Sequence, residues 1–123
     1  MELIILVIIH FVADFVFQSE SWAINKSKDN LALTTHVAVY SVIIGIGLLA
    51  YPANFHNYNI LLFCTITFFA HFITDYYTSR LVSQKRKQEN FGGDVPNFGM
   101  FTIIGFDQVL HYLQLYITAH YIL

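Results

Sequence analysis

The stretch NILLFCTITFFAHFITDYYTS, residues 59 to 79, decides how this chain folds. It has the roughly 20 predominantly apolar residues that let a helix cross a bilayer, yet it carries His71 and Asp75 four residues apart, on one helical face. Two other stretches repeat the combination, at residues 1 to 18 (His10, Asp14) and 100 to 121 (Asp107, His111), and a third, at 31 to 51, carries His36 alone. With 123 residues, 56% of them hydrophobic and 11% charged, and a mean hydropathy of +0.55, the chain has too little polar surface for a soluble domain. The expectation is an all-α, polytopic four-helix transmembrane bundle, a single domain over residues 1 to 123, with loops at 19 to 30 and 80 to 99. The first stretch lacks the basic start and the small-x-small cleavage site of a signal peptide, so it reads as a retained helix.

The loops fix an orientation. All Lys and Arg residues fall in two of them, Lys26 and Lys28 in the first and Arg80, Lys85, Arg86 and Lys87 in the third, whereas Pro52 to Tyr58 has none. The positive-inside rule makes the two basic loops cytoplasmic and puts both termini on the opposite side of a bacterial inner membrane. Trp22, Tyr76 and Tyr77 then lie near one interface and Tyr51, Tyr58 and Tyr121 near the other. Asp29 or Asn30 can cap the second helix, Asn57 or Asn59 the third, and GGDVPNFG at 92 to 99 interrupts the chain before the fourth. Gly92, Gly93 and Asp94 would sit near the cytoplasmic mouth, in a connector or a lid.

IHFVADFVFQSE (9 to 20) and AHFITDYYTSRL (70 to 81) share His-Phe-x-x-Asp-aromatic, and a second His follows in the next helix of each half, at His36 and His111. Two parallel helical-hairpin repeats would give this pattern, as would convergent use of one ligand motif. Asp107 has no counterpart, since alignment on the second histidines sets it against Ala32.

An aspartate at the centre of a membrane helix costs roughly 2.5 to 3.5 kcal/mol, so three ask for about 7 to 10 kcal/mol of compensation. A bound cation supplies it. Given the direction of each helix, all seven groups (His10, Asp14, His36, His71, Asp75, Asp107, His111) fall in one slab in the cytoplasmic half of the bilayer. They are the candidate metal ligands, with Asp107, Asp14 and Asp75 as candidate catalytic carboxylates. Imidazole and carboxylate suit a divalent metal such as Zn, Fe, Mn or Ni; zinc is the first choice, as one or two ions. Cys64 is the only cysteine, which excludes a disulfide or a cysteine-based zinc site. A polar network that only packs helices is the plain alternative, and it suffices for His56 and His120. Gln18 and Gln108 could hold substrate or orient a ligand, Thr34, Thr35, Thr74 and Thr78 suit bonds to the carbonyl one turn back, and Gly45, Gly47 and Gly105 suit close helix packing. Phe11, Phe15, Phe68, Phe69 and Phe72 suit a lipid face and bundle filling.

Taken together, HFVADFVFQ (10 to 18), Trp22, Lys26, His36 with Tyr40, HFITDYY (71 to 77) and FDQVLHYLQLY (106 to 116) resemble a family of small bacterial and phage membrane proteins known only as a domain of unknown function. The resemblance implies architecture and key residues but no reaction. More loosely, the His and Asp cluster is similar to those of the membrane-bound metal-dependent hydrolases and of the ceramidase and adiponectin-receptor superfamily, which has seven spans where four are drawn here; that link is analogy.

The leading expectation is an intramembrane metal-dependent hydrolase acting on a lipid-linked or cytoplasmic small molecule: the ion acidifies a water, an aspartate takes its proton, and an ester, amide or phosphoester is attacked. The alternatives are a cation or proton transporter or channel subunit, which needs polar groups reaching the outer face, and a non-enzymatic phage or host membrane interaction protein. Haem would want histidines at two depths, and these lie near one. A net charge of −2 with no long basic run gives no argument for nucleic acid, and none is expected as a partner. Membrane lipid is the expected surrounding, and exposed helix faces leave a homo-oligomer open.

Overall fold

The computed structural model describes residues 3–53, 55–89 and 98–123, and all regular structure among them is helical. Helix α1 (Leu3–Phe11) passes directly into a π-helical segment, Val12–Val16; α2 (Glu20–Asn25) is short, and α3 (Asn30–Ala50), α4 (Asn57–Gln88) and α5 (Met100–Ile122) are long. Helix α1 packs against α3 and α5, and α4 packs against the same two, so the order around the bundle is α1, α3, α4, α5.

The helix starts follow local chemistry. Ser19 caps α2 by accepting from the Trp22 amide at 3.3 Å, and Asp29 caps α3 by accepting from the Leu31 amide at 2.9 Å. Neither Asn57 nor Asn59 caps α4, whose N-cap is His56 without a side-chain bond. The Glu89 carboxylate accepts from the Met100 amide at 2.6 Å, which ties the end of α4 to the free amides opening α5. Thr34 and Thr35 bond the carbonyls one turn back, at 2.8 Å each.

Further sequence expectations need correction, among them the loop at 19 to 30, in which Glu20–Asn25 form α2. Residues 80 to 88 are helix rather than loop: α4 runs on to Gln88 because no Gly or Pro interrupts RLVSQKRKQ, and Lys85, Arg86 and Lys87 suit the negative end of the helix dipole. The first helix does not run evenly to residue 18. The Phe17 amide reaches back five residues to the Val12 carbonyl at 3.1 Å, and the extra residue in that turn carries Asp14. The stretch containing Gly92, Gly93 and Asp94 lies outside the described residues.

Among the described residues, two helices, α3 and α4, are long and apolar enough to cross a membrane, and Leu3–Val16 is apolar but shorter. Helix α5 has 23 residues, but Asp107, Gln108, His111, Gln114 and His120 dilute its hydropathy.

The interior is layered. At one end Leu6, Tyr40, Ile44, Leu48, Ile60, Phe63 and Leu115 form the apolar core. One or two turns along each helix the buried residues change to His10 and Asp14, His36, His71 and Asp75, and Asp107 and His111. Phe11, Phe15 and Phe69 point outward, with Leu31, Val42 and Leu61 among many other exposed apolar side chains.

Candidate metal centre

Each helix delivers its polar pair by periodicity. Residues four apart share a face, so once Leu6, Ile44, Phe63 and Leu115 pack centrally, the histidines and aspartates in phase with them must also face the axis. The structure brings all seven sequence candidates into that interior, each at most 8% exposed.

They divide by what their atoms already bond. His10 is fully engaged: the Tyr40 hydroxyl donates to Nδ1 at 2.7 Å and Nε2 donates to Gln108 Oε1 at 2.8 Å. The Gln108 amide nitrogen faces the Asp107 and Asp14 carboxylates, at 3.1 and 3.5 Å, which sets the amide's orientation and hence the His10 tautomer. Asp107 accepts from Thr78 Oγ1 at 2.5 Å and lies 3.4 Å from His111 Nε2. His111 Nε2 is also 3.2 Å from Asp75 Oδ1.

The remaining atoms converge without partners. Asp14 Oδ1, His36 Nε2 and both nitrogens of His71 are buried and make no hydrogen bond. His36 Nε2 lies 3.1 Å and His71 Nε2 3.7 Å from Asp14 Oδ1. Asp75 Oδ2, which accepts from Lys26 Nζ, borders this group, 3.4 Å from His36 Nε2 and 3.5 Å from His71 Nε2. Donors around a tetrahedral ion bound at about 2.0 to 2.1 Å stand roughly 3.3 Å apart, which these spacings approximate. Two triads can hold a metal ion, Asp14 with His36 and His71, and His71 with Asp75 and His111. Both contain His71, and neither contains His10 or Asp107.

The sequence places Lys26 in the first cytoplasmic loop, away from the cluster. The structure turns it inward from the end of α2, its Nζ 2.7 Å from Asp75 Oδ2 and its side chain 16% exposed. Burial opposes the charge on Lys26, but the carboxylates of Asp75 and Asp14 more than offset this and hold its pKa above the ordinary lysine value. Tyr40 and Thr78 were also not marked as site residues. The signal for both was register, since Tyr40 is four residues beyond His36 and Thr78 three beyond Asp75. Gln108 does orient a ligand-type side chain, as its place beside Asp107 suggested.

A cavity of about 520 Å³ opens directly above the cluster, with Asp14, Asp75, Asp107 and Gln108 in its lining. A buried three-donor group with an adjoining cavity can both hold an ion and admit a small molecule to it.

No curated protein and no solved structure matches the chain. A family model does match, over residues 3–123 and so over the helices and every cluster residue, and the chain therefore belongs to the family described as "Protein of unknown function (DUF3307)".

Proposed function

We propose that the chain is an intramembrane metal-dependent hydrolase with one zinc ion in the cytoplasmic half of the bilayer. The observation that carries this is the convergence of Asp14 Oδ1, His36 Nε2 and His71 Nε2, three buried atoms without hydrogen bonds that all lie within 4.8 Å of one another. Two of these atoms, Asp14 Oδ1 and His36 Nε2, face each other at 3.1 Å and His71 Nε2 has no hydrogen bond, a polar arrangement that a cation among them would satisfy. In its short contacts His71 turns the same nitrogen to both Asp14 and Asp75, and one ring nitrogen serves one ion, which favours a single site over two. Nitrogen and oxygen donors without sulfur suit zinc in a four-coordinate cage.

The roles follow from the bonding. Asp14, His36 and His71 would hold the ion, leaving a fourth position beside Asp75. A zinc ion there would supply Lewis acidity and an easily deprotonated water. Asp75 would take the water's proton, and His111, in reach of both Asp75 and Asp107, would link the two carboxylates. His10, first read as a ligand, instead holds Gln108 between Tyr40 and the carboxylates.

Several features support a four-span membrane setting. Exposed apolar side chains occur on α1 and on all the long helices, including Ile4, Leu49, Phe69 and Leu113, more than a soluble monomer presents. The basic residues concentrate at the end of the bundle nearest the polar cluster, supporting cytoplasmic loops and external termini in a bacterial inner membrane. The order α1, α3, α4, α5 sets α1 across from α4 and α3 across from α5, the arrangement of two parallel hairpin repeats about a central axis. The apolar layer of Leu6, Ile44, Leu48, Phe63 and Leu115 beneath the cluster argues against a transport path.

The test is purification in detergent followed by metal analysis and ester, amide and phosphoester hydrolysis. One zinc per chain is expected, lost in His36→Ala and His71→Ala, while Asp75→Asn keeps zinc and stops turnover. Stable, folded wild-type protein that binds no divalent metal would refute the proposal.

A further inference from the structure

The cavity above the cluster has a marked charge division. Its floor carries three carboxylates, whereas Lys26, Lys28, Arg86 and Lys87 line its walls, four of the six basic residues in a chain of net charge −2. The positive-inside rule requires cations on this face of the membrane, but it does not require them to surround one cavity. The extension of α4 beyond Ser79 is what brings Arg86 and Lys87 to the wall, and the turn that follows α2 brings Lys26 and Lys28.

Uncommitted polar atoms lie in the same lining. Gln18 Oε1 and Ser79 Oγ are buried and without partners, and Ser83 adds another hydroxyl. Phe15, Ile24, Val82 and Ile104 supply apolar wall. A neutral ester or amide would find no use for four cations. A carboxylate can satisfy one guanidinium but not cations and hydroxyls on several sides. A phosphoryl group offers three acceptor oxygens and up to two negative charges, which match Arg and Lys around a hydroxyl-bearing wall. The volume of about 520 Å³ accommodates such a group with a modest apolar substituent.

We propose that this cavity is the subsite for a phosphate ester, held by Lys26, Arg86 and Lys87 with its phosphorus toward the metal centre. The inference rests on the hydrolase reading for its chemistry but not for its anion binding. Hydrolysis forms one phosphorus–oxygen bond to water and breaks the bond to the alcohol oxygen; one water proton goes to that oxygen through Asp75, and the other stays on the released phosphate. The phosphoryl group could be a lipid headgroup or part of a soluble metabolite, and the chemistry of recognition is the same.

The experiment uses the full chain in neutral-lipid nanodiscs, with phenyl phosphate as probe, phenyl acetate as neutral comparator, and zinc content measured on every sample. Phenyl phosphate should bind and phenyl acetate should not. Arg86→Glu and Lys87→Glu should each weaken binding about tenfold or more, while Lys85→Glu, the same charge change outside the lining, should weaken it less than about threefold. Phosphatidic acid in the disc displacing the probe assigns the phosphoryl group to a lipid, and failure to displace it assigns it to a soluble ester; either result supports the subsite. Equal losses from all three reversals, or equal binding of the neutral ester, would overturn it. Zinc-loaded protein that ignores phenyl phosphate sinks the subsite alone, and phosphate binding by protein that takes up no zinc sinks the hydrolase reading alone.

Discussion

Replacing Lys26 by Met removes the one ammonium inside the cluster while keeping most of the side chain's apolar stem. At 2.7 Å from Asp75 Oδ2, the pair has a gross attraction of about 6 kcal/mol at an effective dielectric constant of 20. Removing one partner of a buried pair costs about 3 to 5 kcal/mol net, and the lower end applies because His36, His71 and His111 remain around the Asp75 carboxylate. A divalent cation beside Asp75 supplies the lost charge, so metal-loaded Lys26→Met should lose only about 1 kcal/mol. The difference of about 2 kcal/mol between the two states must reappear as tighter metal binding, roughly 30-fold. The assay is zinc titration against a chromophoric chelator, paired with unfolding in detergent with and without zinc. If Lys26→Met binds zinc no more tightly and is equally destabilised in both states, Lys26 and the ion do not share a carboxylate and the reasoning fails.

Three other outcomes are expected. His10→Ala should retain zinc where His36→Ala does not, since both His10 nitrogens are bonded within the protein; metal analysis of the two purified variants decides it. Tyr40→Phe should cost about 1 to 2 kcal/mol of stability, because the buried Nδ1 of His10 loses its donor, and denaturant unfolding of zinc-loaded protein measures this. A Cβ at Gly47 would meet three side-chain atoms of Ile9 at 2.8 to 3.1 Å, so Gly47→Ala should cost about 1 to 3 kcal/mol. Ile9→Ala in the same chain should recover part of that cost in a double-mutant cycle.

What could be read from the sequence, and what could not, has physical causes. Helical periodicity and the direction of each helix bring His36 from α3 to the depth of His71 from α4, so the gathering of seven polar groups was legible before any coordinates. Which of them are available to an ion was not. That depends on who bonds to whom across helices, as when Tyr40 and Gln108 occupy His10 while the nitrogens of His71 stay unbonded. Lys26 escaped because a charged residue in a loop is assigned to water, although its long stem lets the ammonium reach a buried carboxylate. The loop expected at residues 80 to 88 followed loss of hydropathy, but hydropathy reports apolar character rather than helix propensity, and α4 runs on through the helix formers of RLVSQKRKQ to Gln88. The π-helical turn at Val12–Val16, which packs against α3, leaves no mark in composition.

X-ray absorption at the zinc edge of the purified, zinc-loaded protein tests the central claim most directly. The account predicts a four-coordinate shell of nitrogen and oxygen at about 2.0 to 2.1 Å containing two imidazoles, which falls apart in His71→Ala. Sulfur in the shell, a six-oxygen environment, or an unchanged spectrum in His71→Ala would contradict it.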